Sequence, residues 1–113
     1  GLRRANLRGR YAEFDMAITA YNQTLLTALQ DVADQIVTLR SLTSELKTQT
    51  IAVNATRTNY RLFNSRYEHG IVSYFQVLEI KQALVQQEAT ALNLKVARAK
   101  ASVALLKALG GEA

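Results

Sequence analysis

An apolar or aromatic residue stands at every seventh position through most of the first half of this chain: Tyr11, Ile18, Leu25, Val32, Leu39, Leu46, Val53, Tyr60 and Tyr67. A seven-residue period held over so many steps keeps one face of an α-helix turned toward a neighbouring helix. A second line runs beside it through Phe14, Tyr21, Ala28, Leu42 and Phe63, with Gln35, Gln49 and Thr56 at intervening steps, so the stripe is continuous but partly polar. At about 1.5 Å of rise per residue, Tyr11 to Tyr67 makes a rod of about 85 Å. No rounded core of a chain this size contains such a rod. It has to lie along other helices of comparable length.

Composition permits this. The 113 residues include no proline, no cysteine and only five glycines. Proline inside a helix costs about 3 kcal/mol, so its absence leaves the chain free to run as uninterrupted helix. A hairpin of this size buries a thin seam, and much of its stability is expected to come from neighbours. There is no apolar run of about 20 residues to cross a bilayer as a helix and no signal-peptide core. The chain opens on Gly1, which reads as an excised or mature segment.

The net charge of +5 raises the question of an anionic partner. Arg3, Arg4, Arg8 and Arg10 cluster, while the other cations alternate with acids and amides. A basic stripe interleaved with stacking aromatics is missing, which argues for solvated faces and against nucleic acid.

Gly70 breaks the heptad phase. Before it, Arg66 to His69 suit a helix end, and Gly70 suits the left-handed position just beyond. After it, Ser73 with Gln76 forms a capping-box pattern, and Val72 with Val77 occupies the hydrophobic-staple positions. The sequence therefore predicts an all-α fold, a long antiparallel helical hairpin with helices over about 3–69 and 74–109 and a turn over 70–73. The second helix carries Ile71, Leu78, Val85, Leu92, Ala99 and Leu106 as its main apolar series, flanked by Val77, Leu84, Ala91 and Leu105, and Gly110 with Gly111 stops it. On this reading Leu46 and Leu92 are seam residues, and Thr48 and Lys95 are not. The arms are unequal. Leu7 to Leu29 finds no partner within the chain, leaving Tyr11, Phe14, Ile18, Tyr21 and Leu25 as an interaction face.

Catalysis lacks parts: there is one histidine, His69, with no cysteine, no Gly-rich phosphate loop and no metal-ligand spacing. No catalytic, cofactor-binding or metal-ligating residue is expected. Asp31 with Asp34 is an ordinary i, i+3 pair, and Glu79 and Glu88 are too far apart on one helix to share a proton. Thr48, Gln49, Thr50, Asn54, Thr56, Thr58 and Asn59 form a neutral polar band that fits either a hydrated pore wall or an exposed surface.

The stretch from Arg66 to Glu79, with Arg66-Tyr67, Gly70-Ile71, Ser73-Tyr74 and Leu78-Glu79 at its fixed points, resembles the periplasmic-tip signature of TolC-type outer-membrane efflux channels. Tyr21 to Asp34 is similar to that family's long-helix segment, Leu106 to Gly111 to the ending of its shorter helix, and Leu2 to Leu7 to its entry into the long helix. The resemblance implies a single periplasmic segment over residues 1–113, the second helical hairpin of a subunit that has two. It implies that three subunits build a hollow α-barrel continued by a β-barrel in the outer membrane of a Gram-negative bacterium. It also implies docking of the tip on a periplasmic adaptor coupled to an inner-membrane pump, with Tyr67, Gly70, Ile71, Val72 and Ser73 matching the docking tip. Gln76 and Glu79 stand where some members place two acids facing the pore, and Glu112 stands where the family often has an aromatic residue. The alternative outside this family is a free-standing coiled-coil scaffold.

Overall fold

The computed structural model describes residues 1–110; the expectations for Gly111 and Glu112 lie outside them. Two helices, α1 over Leu2–Glu68 and α2 over Tyr74–Ala108, form one antiparallel hairpin 102 Å long and only 23 by 16 Å across. The boundaries fall within one residue of those the sequence predicts.

The turn is held by the groups the sequence offers for it. Gly70 has φ +74°, and its N–H donates to the carbonyl of Tyr67 at 2.9 Å while that of Ile71 donates to Arg66 at 2.8 Å. This is the Schellman closure, which satisfies carbonyls that the helix end leaves free. Ser73 then opens α2. Its hydroxyl accepts from the Gln76 N–H at 3.3 Å, and its own N–H donates to Gln76 Oε1 at 2.9 Å. Val72 is half-buried and Val77 is buried, as the staple positions require.

In α1 the two heptad lines meet α2 as expected. Leu46 and Val53 are buried, and Val32, Gln35, Leu39, Leu42, Gln49, Thr56, Tyr60 and Phe63 are half-buried. Every residue from Gly1 to Asp31 is exposed. That end includes Tyr11 at 63% and Phe14 at 64%, because α2 is too short to reach it.

In α2 the assignment of the main series is corrected. Leu78, Val85, Leu92 and Leu106 are exposed, Leu92 at 60%, and the inward line is the flanking one. It runs Val77, Ile80, Leu84, Gln87, Ala91, Leu94, Arg98, Ala101, Leu105 and Ala108, at alternating three- and four-residue steps. Two apolar lines with the same period lie on this helix, so the period alone does not choose between them. The capping box and the buried Val77 fix the rotation of α2 as it leaves the turn, which sends Leu78 and its heptad mates outward.

One polar interruption crosses the seam. Gln49 Nε2 donates to the backbone carbonyl of Gln87 at 3.0 Å, while Gln87 Oε1 is buried without a partner. A buried unpaired amide oxygen costs about 1–3 kcal/mol. Gln87→Leu is therefore expected to stabilise the hairpin by about 1 kcal/mol, since the bond from Gln49 goes to the backbone and survives. Thermal unfolding followed by circular dichroism checks this, and a lower melting temperature would show that the Gln87 side chain is satisfied in solution.

Candidate functional site

The far end of the hairpin is the place where side chains of different chemistry are brought together and left open. Ile71 projects at 71% exposure between the helix ends, with Tyr74 and Phe75 beside it, also exposed. The rings of Tyr67 and Tyr74 lie 5.3 Å apart at 48°, a tilted aromatic pair that ties the last turn of α1 to the first turn of α2. His69 Nδ1 lies 2.7 Å from the carbonyl of Ser65. A carbonyl only accepts, so in this bond Nδ1 is the donor.

Two cation–π contacts stiffen the approach to the tip. The Arg66 guanidinium sits 5.4 Å from the Phe63 ring centre, and Lys81 Nζ sits 4.9 Å from that of Tyr60, joining α2 to α1. Farther from the tip, Arg57 pairs with Glu88 across the helices at 3.2 Å. Both side chains are more than two-fifths exposed, so this bond contributes at most about 1 kcal/mol and mainly marks the register.

Among the residues singled out in the sequence, Gly70, Ile71, Val72 and Ser73 make the turn itself, and Tyr67 adjoins it through Tyr74. Ser73 is occupied with capping, and Ile71 is the prominent exposed aliphatic side chain of the turn. Gln76 has its oxygen committed to the capping box, whereas Glu79 is exposed on α2 one turn behind the tip. Within the polar band, Gln49 and Thr56 turn toward α2, and Thr48, Thr50, Asn54, Thr58 and Asn59 remain exposed. The aromatic partners Tyr74 and Phe75 were not singled out as site residues, because their exposure depends on the rotation of α2.

The stripe that α2 leaves open has a definite geometry. Phe75, Leu78, Val85, Leu92, Val96, Val103 and Leu106 repeat at heptad spacing and are all at least 45% exposed. At about 100° per residue this line stands roughly 150° around the helix from the line that meets α1. Charged and polar residues fill the two intervals, Lys81, Glu88, Lys95 and Ser102 on one side and Glu79, Gln86, Asn93, Lys100 and Lys107 on the other. A helix with two opposed apolar faces and two polar ones suits a wall, with a helix on each side and water on both surfaces. No helix is long and apolar enough to cross a membrane, and no cluster of metal-ligating groups occurs among the described residues.

The chain is 36% identical over 107 residues to the multidrug resistance outer membrane protein MdtP of Escherichia coli K12, an alignment covering 95% of this chain and 22% of that protein. It is 30% identical over 111 residues to the solvent efflux pump outer membrane protein SrpC of Pseudomonas putida, covering 98% of this chain and 24% of that one. It is 29% identical over 111 residues to the cation efflux system protein CusC of Escherichia coli O157:H7, covering 98% of this chain and 24% of the relative. The chain thus spans about a quarter of the length of the curated relatives it matches. No solved structure matches it closely. The family model for outer membrane efflux proteins matches residues 1–111, nearly the whole chain, and the chain belongs to that family.

Proposed function

We propose that this hairpin is a periplasmic wall-and-tip segment of an outer-membrane efflux channel, the second of two such hairpins in each of three subunits. The observation that carries this reading is the doubly apolar α2. One face is used within the hairpin, and the opposed face needs a second helix. The outward face of α1 complements it, since Ser41, Ser44, Thr48, Ile51, Ala55, Thr58, Leu62 and Ser65 form an exposed line of mostly small residues at the same heptad steps. Large residues on one edge and small ones on the other make a head-to-tail contact, which closes into a ring when repeated with a constant rotation. The uncovered stretch of α1 before Val32 continues the same seam and takes further helices of the whole subunit.

The tip is the part of such a wall that reaches away from the outer membrane, and on this reading it docks a periplasmic adaptor coupled to an inner-membrane pump. The contact is small. Ile71, Val72, Tyr67 and the glycine backbone offer little area, so a single hairpin binds weakly and the channel gains affinity by presenting several tips together. The substrate is not chosen at this site. Relatives named for drugs, solvents and cations align with the same segment.

Gly70→Val tests the tip. There is open space around Gly70, but its φ of +74° disfavours a β-branched residue by about 1–2 kcal/mol, so the turn is distorted while the seams are untouched. The expected outcome in the full-length channel is greater drug susceptibility with normal assembly, together with crosslinking of Ser73→Cys to the cognate adaptor when Gly70 is intact. Normal efflux in the mutant and no crosslink from the tip would reduce this turn to a connector.

A further inference from the structure

The two water-facing surfaces of the hairpin differ in charge. The groove lined by Asn54, Arg57, Glu88 and Lys95 marks one of them, bridged by the Arg57–Glu88 pair, and the groove lined by Glu45, Thr48, Thr90 and Leu94 marks the other. Heptad steps extend each surface from these points. On the first, Arg40, Lys47, Arg57, Arg61, Lys81 and Lys95 stand against Glu68 and Glu88, six cations against two acids, a balance of +4. On the second, Arg66, Lys100 and Lys107 stand against Glu45 and Glu79, a balance of +1, and Ala52, Asn59, Gln86 and Asn93 occupy positions between them. Arg98, half-buried on the inward line, belongs to neither surface.

Pairing of the two helices does not explain the split. Lys47 and Lys95 stand at nearly the same height, about 35 Å from the turn, and on the same surface, where like charges destabilise the hairpin. Bulk is divided in the same way as charge. Beside the seam the basic surface carries Arg57, Lys81, Glu88 and Lys95, whereas the other carries Ala52, Ala83, Thr90, Ala97 and Ala104.

In a closed wall these two differences distinguish inside from outside. Around a ring of rods the inner surface has less room per rod than the outer, so short side chains suit the inside and long ones the outside. Charges of one sign on the inner surface are repeated by every subunit and face one another across an enclosed space, where their fields add. On the outer surface the same charges diverge into bulk salt, which screens them within about 8 Å.

We propose that the near-neutral surface, with Ala52, Asn59, Gln86 and Asn93, lines the conduit and that the basic surface faces the periplasm. The assignment rests on the channel-wall reading and adds which side of the wall meets the exported solute. A lumen lined in this way selects weakly by charge, so this part of the channel passes cations, anions and neutral solutes alike.

The test uses the full-length channel with Asn93→Cys or Lys95→Cys as its single cysteine; this segment supplies none of its own. The two positions lie about 200° apart around α2 at nearly the same height. Each is labelled with a small cationic thiol reagent, and the reversal potential in a salt gradient is measured across a planar bilayer before and after. Labelling at Asn93→Cys is expected to shift the permeability ratio toward anions by about threefold or more, and labelling at Lys95→Cys, verified by mass, to leave it within about 1.5-fold. Asn59→Asp with Asn93→Asp is expected to shift the ratio toward cations, and Arg61→Gln with Lys95→Gln to leave it unchanged, with light scattering confirming trimers for both. A shift from position 95 with none from position 93, equal shifts from both, or no shift from either despite full labelling would overturn the proposal. A parent that forms neither trimers nor a conducting pore would overturn the channel reading, and this assignment with it.

Discussion

Leu84→Ala is expected to destabilise the hairpin by about 2–4 kcal/mol, enough to leave much of the isolated chain without a paired α2. Leu84 is 4% exposed and lies on the inward line of α2, two turns beyond Val77. Removing three carbons there leaves a gap that two stiff rods close poorly, because each is held straight by its own hydrogen bonds. The buried set of the described residues is small, namely Leu46, Val53, Val77, Leu84 and Ala101. A single deletion is therefore a large fraction of the seam. Leu92→Ala makes the comparison, since Leu92 has the same chemistry one helix face away and is 60% exposed. Its loss is expected to stay within about 0.5 kcal/mol in the isolated chain. Urea titration of the two variants beside the parent measures both. Equal losses would mean that α2 is rotated differently in solution, and a larger loss at Leu92 would restore the main apolar series as the seam.

The length, the two helices and the turn were legible because each has a local cause. Nine heptad positions without an intervening proline define α1, and Gly70, Ser73 and Gln76 supply a stop and a start within seven residues. The seam of α1 was also legible from its one clear pair of heptad lines, whereas Gln49 and Thr56 stand both on that stripe and in the polar band, and it is the structure that turns them toward α2. The rotation of α2 was not read correctly. Leu78 and Leu92 have larger side chains than the inward Val77 and Ala91 beside them, and that hydrophobic weight favours the wrong line. In fact the inward line mixes large residues, Leu84, Leu94 and Leu105, with small ones, Ala91 and Ala101, that let the helices approach closely, so size does not mark the seam. The staple at Val77 contained the answer, since a residue that must pack back on Val72 cannot also leave Leu78 facing α1. At the tip, the conformation of Gly70 followed from its type. The capping role of Gln76 followed as well, from its place three residues after Ser73. Pairs such as Lys81 with Tyr60, or Arg57 with Glu88, depend on the register between helices and have no signature along the chain.

The second large effect concerns the outward stripe. Leu78→Glu combined with Leu92→Glu is expected to leave the isolated hairpin folded and to abolish assembly of the full-length channel. Both positions are exposed in the hairpin, glutamate is a good helix former, and Lys81 and Lys95 stand three residues on to offset the new charges. In a closed wall the same carboxylates are pressed between helices without a partner. An uncompensated buried charge there costs several kcal/mol, repeated in every subunit of the ring. The central claim, that α2 is built to be packed on both faces, is tested most directly by comparing this double variant in two settings. Circular dichroism of the isolated chain is expected to give the helix content and melting temperature of the parent, within a few degrees. Light scattering of the full-length channel after chromatography in detergent is expected to give monomers where the parent gives trimers. A double variant that assembles as the parent does would contradict the claim and would leave the outward stripe as an exposed surface.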